Sequence, residues 1–146
     1  MRRARVDGAD LVPREAIIRR ALPLAAALLL TGCNGGTVDR HDLTKDAGAL
    51  DSIACEGALV ADGVARGRTT VFYAREQAEE LRVQTSNLAH ALAVRKSIPG
   101  LERRVREKSK EAAALARVLQ RLHDHPSDRT VGADVERALR RAGSCP

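Results

Sequence analysis

The sequence predicts an all-α protein, built as an up-and-down antiparallel helical hairpin or a small helical bundle with coiled-coil-like heptads. Three observations lead there. Leu50, Ile53, Gly57, Val60, Val64, Gly67, Val71, Ala74, Ala78, Leu81, Thr85, Leu88 and Leu92 alternate by three and four residues, the spacing of a heptad seam. After Ser97-Ile98-Pro99-Gly100 a second seam follows, through Leu101, Val105, Lys108, Ala112, Leu115, Leu119 and Leu122. Val131, Val135, Ala138, Leu139 and Ala142 then mark the inner face of a last, short helix.

The elements follow in order. Leu43-Thr44-Lys45 reads as the helix entry, and residues 45–146 as the helical domain. The first seam is small-sided at Gly67, Ala74 and Ala78. Such positions bury little area but let a neighbour approach closely, and a glycine costs up to about 1 kcal/mol in a helix interior. Gly63 and Gly67, with β-branched Thr69, Thr70 and Val71, mark the place for a break. Two readings stay open: one helix running the length of the seam, or two split near Gly67 to Thr69. A seam this thin is poorly suited to standing alone, so a protein partner helix or a homo-oligomer is expected to complete it.

Ser97 to Gly100 is a turn, since proline is excluded from a helix interior. In the helix that follows, Arg103–Glu107 and Glu102–Arg106 are i,i+4 pairs, each worth a few tenths of a kcal/mol. Lys108, the polar member of the seam, either sets register or snorkels. His123-Asp124-His125-Pro126-Ser127-Asp128 ends this helix, Thr130 is positioned to cap the last one, and Gly143 closes it.

Ahead of the helices lies a leader. Arg19 and Arg20 precede Ala-Leu-Pro-Leu-Ala-Ala-Ala-Leu-Leu-Leu, residues 21–30, and small residues follow. A basic start, a short apolar middle and a small-residue close make up a secretory signal. The run is too short to span a bilayer, which needs roughly 20 apolar residues. Residues 1–32 are therefore expected to be a signal peptide that is cleaved, and residues 33–44 a flexible tether.

The close of the leader, Leu30-Thr31-Gly32-Cys33, resembles the lipobox of bacterial lipoproteins. With Cys33-Asn34-Gly35-Gly36, the Leu43-Thr44-Lys45 entry, Ala54-Cys55 and a cysteine near the C-terminus, the chain resembles small uncharacterised bacterial lipoproteins. The resemblance implies diacylglyceryl attachment at Cys33 and cleavage before it. It also implies residence on the extracytoplasmic face of the cell membrane or outer membrane. Non-aspartate Asn34 resembles the outer-membrane sorting pattern. Two or three acyl chains, at about 0.8 kcal/mol per buried methylene, make such an anchor effectively permanent.

Cysteine parity agrees. The chain has three cysteines, and an odd count in a secreted protein asks for a use for the extra one. With Cys33 lipidated, Cys55 and Cys145 remain in a compartment that permits disulfides, and they are expected to pair. Helices rising 1.5 Å per residue bring Cys145 back beside Cys55 in either reading of the break.

Charge excludes more than it selects. The leader carries six basic and three acidic residues, leaving 19 and 16 in the rest, so the high isoelectric point belongs partly to the leader. Phe72 and Tyr73 are the two aromatic residues, with no tryptophan, which leaves few side chains for bases to stack on; nucleic acid is not an expected partner. The basic group Arg95, Lys96, Arg103, Arg104, Arg106, Lys108 and Lys110 is the strongest charge feature. Arg103, Arg104 and Arg106 are its candidate contacts to an anionic surface, either phospholipid or an envelope polymer. In the single-long-helix reading this group lies far from the tether.

No catalytic residue is signalled. The sequence has no GxSxG elbow and no GxxxxGK[ST] loop, so neither a hydrolase triad nor a phosphate cradle is indicated. His123-Asp124-His125 is the one stretch with metal-ligand chemistry, and a metal-dependent enzyme using His123 and His125 is the alternative. No HExxH or CxxC accompanies it, and histidine is favoured at a helix C-terminus in any case. No cofactor and no small-molecule substrate is expected. The function read from the sequence is a lipid-anchored, extracytoplasmic, non-catalytic binding or scaffolding module of the cell envelope.

Overall fold

Asp39 caps the first helix, which begins at Arg40, five residues before the domain boundary expected from the sequence. The structure, a computed structural model, describes residues 36–145. Asp39 accepts the Asp42 N–H at 2.8 Å while the Asp42 carboxylate accepts the Asp39 N–H at 3.4 Å, a reciprocal cap that satisfies two donors at the helix start. Helix α1 then runs over Arg40–Ala65.

Its end settles the open question of the break. Gly67 adopts φ +64°, a conformation glycine enters without steric cost. The Arg68 N–H reaches back to the Gly63 carbonyl at 2.8 Å and the Gly67 N–H to Val64 at 3.0 Å, the Schellman pattern. Asp62 braces the corner, with its carboxylate 2.7 Å from Arg66 Nε and 2.6 Å from Arg68 Nη2. Thr70 accepts the Tyr73 N–H at 3.2 Å and starts α2, Val71–Val94. The single-helix reading is thereby excluded: Gly67 and Val71 leave the seam at the corner, where both are exposed.

Pro99 and Gly100, the latter at φ +90°, form the next turn, with the Leu101 N–H bonded to the Ile98 carbonyl at 3.2 Å. Proline second and a positive-φ glycine third is the type II arrangement. Helix α3, Glu102–Asp124, follows. Asp128, not Thr130, caps α4, Arg129–Ala142: its Oδ1 accepts the Thr130 N–H at 2.8 Å and the Val131 N–H at 3.1 Å. Aspartate reaches both donors from outside the helix, whereas Thr130 already lies within it. Gly143 closes α4 as expected.

Four helices, among the described residues, pack up and down. The main core joins Leu50, Ile53, Val60 and Val64 of α1 to Leu81 of α2, Leu115, Leu119 and Leu122 of α3, and Val135 and Leu139 of α4. A second cluster, Val38, Leu43, Leu92, Leu101 and Val105, fills the end where the chain enters. Leu88 packs against both. Residues 36–146 thus form a compact unit with its own core. The small seam positions are used inside the chain: a Cβ on Gly57 would meet Leu119 at 2.9 Å and Leu139 at 3.0 Å. Glycine there admits the leucines of α3 and α4. Cys55 and Cys145 form the expected disulfide, tying the middle of α1 to the tail after α4 across 90 residues.

Candidate functional site

The candidate site grows from the way the chain enters the fold. Val38 is fully buried. Its N–H donates to the Lys96 carbonyl at 2.7 Å, and its own carbonyl accepts the Ile98 N–H at 3.1 Å, a short parallel bridge to Ser97. Extended backbone with both polar groups paired belongs to the fold. The expected tether of residues 33–44 is therefore too long: residues 38–44 hold a bridge, a cap and the buried Leu43. The leader, the lipobox and Cys33 lie outside the described residues.

The corner at Gly67 has a second consequence. Because α2 turns back there, its C-terminal end returns to the start of α1, and Lys96 sits beside Val38. The basic group accordingly lies at the entry end of the bundle, the reverse of the placement in the single-helix reading.

Within that group the three arginines singled out from the sequence do not act as one patch. Arg103 points out, 83 % exposed, with Nε 3.8 Å from Glu107. Arg104 lines a groove beside Leu43, Ala47 and Glu107, between α1 and α3. Arg106 instead lines a cleft of about 430 Å³ between the end of α2 and the start of α3, together with Arg95, Lys96, Ser97 and Glu102, over Leu92 and Val105. The expected Glu102–Arg106 pair is replaced: Glu102 Oε2 accepts the Gly100 N–H at 2.9 Å. No ion-pair partner is found for Lys96, Arg104 or Arg106 among the described residues. Lys108 snorkels to Glu111 at 2.6 Å.

Arg95 is held from its other side. Its Nη2 lies 3.3 Å from Asp42 and its Nη1 4.0 Å from Asp46. The Arg95 Nε and one Asp46 oxygen are buried without hydrogen-bond partners in the structure. Burial pushes the Asp46 carboxyl above the ordinary aspartate range, and Arg95 only partly opposes this. Arg95 was visible in the sequence as one of a basic group. Its acidic partners were not, because Asp42 stands 53 residues away and only the folded chain brings them together.

At the other end, His123 Nδ1 lies 3.0 Å from Asp124 Oδ1, and Gln120 Nε2 donates to the same oxygen at 2.7 Å. The hydrogen bonds from His123 and Gln120 hold the Asp124 carboxyl below its usual range. Among the described residues no three of His, Cys, Asp and Glu gather as metal ligands, so His123 and His125 have no third donor there. No helix among the described residues is long and apolar enough to cross a membrane. No family model, curated protein or solved structure matches the chain.

Proposed function

We propose that this chain is a lipid-anchored helical lipoprotein that works on the extracytoplasmic face of the membrane as a non-catalytic binding or scaffolding module. The observation that carries the reading is Leu30-Thr31-Gly32-Cys33 directly after an apolar run with arginines before it. Export would also suit the Cys55–Cys145 disulfide, which an oxidising compartment keeps closed. The pinned Val38 lies five Cα steps after Cys33. At about 3.4 Å per extended residue they reach about 17 Å, so an anchored bundle is held close to the headgroups.

Intact mass of the protein extracted from membranes tests this reading. The expected mass is that of residues 33–146 with acyl chains and two fewer hydrogens for the disulfide. A full-length chain recovered from the cytosol with three free thiols would overturn it. The Cys33→Ala variant is expected to lose membrane attachment while keeping the Cys55–Cys145 bond.

A further inference from the structure

We propose that the cleft between the end of α2 and the start of α3 takes the phosphate of an anionic phospholipid headgroup, in the same membrane that holds Cys33. Its placement rests on the lipid-anchor reading; its chemistry rests on the cleft alone. Lys96 and Arg106, with no ion-pair partner among the described residues, supply two cations against the one carboxylate of Glu102, which accepts the Gly100 N–H, while Asp42 and Asp46 offset the charge of Arg95. Arg95 is braced by Asp42 and Asp46, so its guanidinium is pre-positioned.

Position adds to chemistry. The entry segment passes along the rim, because Val38 is bonded to Lys96 and Ile98, which flank Ser97 of the cleft. A lipid on Cys33, within about 17 Å of Val38, brings this end of the bundle to the headgroup layer. That layer attracts lysine and arginine within about a Debye length of its surface. The anchor supplies attachment; the cleft sets which end faces the membrane.

The test uses residues 36–146, which carry both apolar clusters and the disulfide and bear no lipid. This unit is pelleted with vesicles of phosphatidylcholine alone, and of phosphatidylcholine with one-third phosphatidylglycerol, at about 0.1 M salt, where the screening length of about 10 Å is short against the length of the bundle. Pelleting with the anionic vesicles only is expected, and raising the salt should abolish it. Lys96→Glu/Arg106→Glu should weaken it by about tenfold or more, and Lys96→Gln/Arg106→Gln by about threefold or more. Arg75→Glu/Arg121→Glu makes the same change of net charge at the far end, near the start of α2 and in the last turn of α3, and should leave pelleting within about twofold. Helicity and melting of each variant confirm folding; if the glutamate pair unfolds, the glutamine pair decides.

Equal loss from both ends, no effect of the cleft variants, or no pelleting of the parent chain would each overturn the proposal. A chain shown by mass to be lipidated, whose soluble unit ignores anionic vesicles, removes the cleft and leaves the anchor. Selective pelleting by a chain that carries no lipid removes the anchor and leaves the cleft.

Discussion

Gly132 of α4 lies against the backbone of α1 at Ala65. A methyl group placed on Gly132 would fall 2.8 Å from the Ala65 nitrogen and 3.1 Å from the Ala61 carbonyl oxygen. Neither atom can yield without moving the helix. Gly132→Ala is therefore expected to destabilise the fold by about 1–3 kcal/mol, overpacking outweighing the gain in helix propensity. Gly48, also helical, has open space around it, and Gly48→Ala should stabilise by about 0.5–1 kcal/mol. Urea unfolding of the two variants is the check, and like signs would contradict the packing described.

The Cys55–Cys145 bond closes a loop of 90 residues. In the chain-entropy model a loop of this length is worth about 4–5 kcal/mol. The double variant Cys55→Ser/Cys145→Ser, or reductant added to the parent, should lower the urea midpoint by a matching amount. An unchanged midpoint would mean that the bond adds nothing to the unfolding free energy.

Asp128 receives two N–H groups at the start of α4, while Thr130 serves no cap. Asp128→Ala should cost about 1 kcal/mol and Thr130→Ala only a few tenths. The reverse order in thermal melts would restore Thr130 as the cap.

Acid should loosen the corner between α1 and α2. Burial alone would raise the Asp62 pKa, but Arg68 and Arg66 outweigh it and hold the carboxyl below its ordinary range. A folded-state pKa below the unfolded value of about 3.9 means stability that is present above that value. It is lost as pH falls through the folded one. Asp62→Asn should therefore flatten the acid limb of a stability-against-pH curve.

Asp46 works in the opposite sense. Its pKa is raised by burial, so its ionised form costs stability at neutral pH, and acidification through the folded value relieves that cost. Asp46→Asn removes the relief and should steepen the acid limb. Melting temperatures measured between neutral pH and about pH 3 separate the two effects. Parallel slopes in the two variants would refute the assignment.

Much of the helical plan is legible in local pattern. Leu50, Ile53, Val60 and Val64 announce the buried face of α1, and Leu115, Leu119 and Leu122 that of α3, because period and side-chain size are carried by neighbours along the chain. The Pro99-Gly100 turn and the Gly143 stop are equally local. Asp128 and Thr130 both suit the cap of α4 in sequence, and only the backbone N–H directions choose Asp128. The entry is illegible in the sequence because Val38 has no periodic neighbours. What buries it is a bridge to Ser97, 59 residues on.

By itself, then, the sequence determined the helical segments and their antiparallel order, which follow from periodicity and turn chemistry, while the Cys55–Cys145 pairing, expected on the premise of a lipidated Cys33, is present in the fold. Only the tertiary structure decided that the long seam folds at Gly67. The residues from Gly63 to Thr70 permit a corner without requiring it, and the choice shows in Ala74, Ala78 and Leu81 of α2, which are buried in the same core as Val60 and Val64 of α1. That one corner also carries Lys96 back to Val38 and opens the Arg95–Lys96–Arg106 cleft at the entry end, a placement set by contacts between residues far apart in the chain.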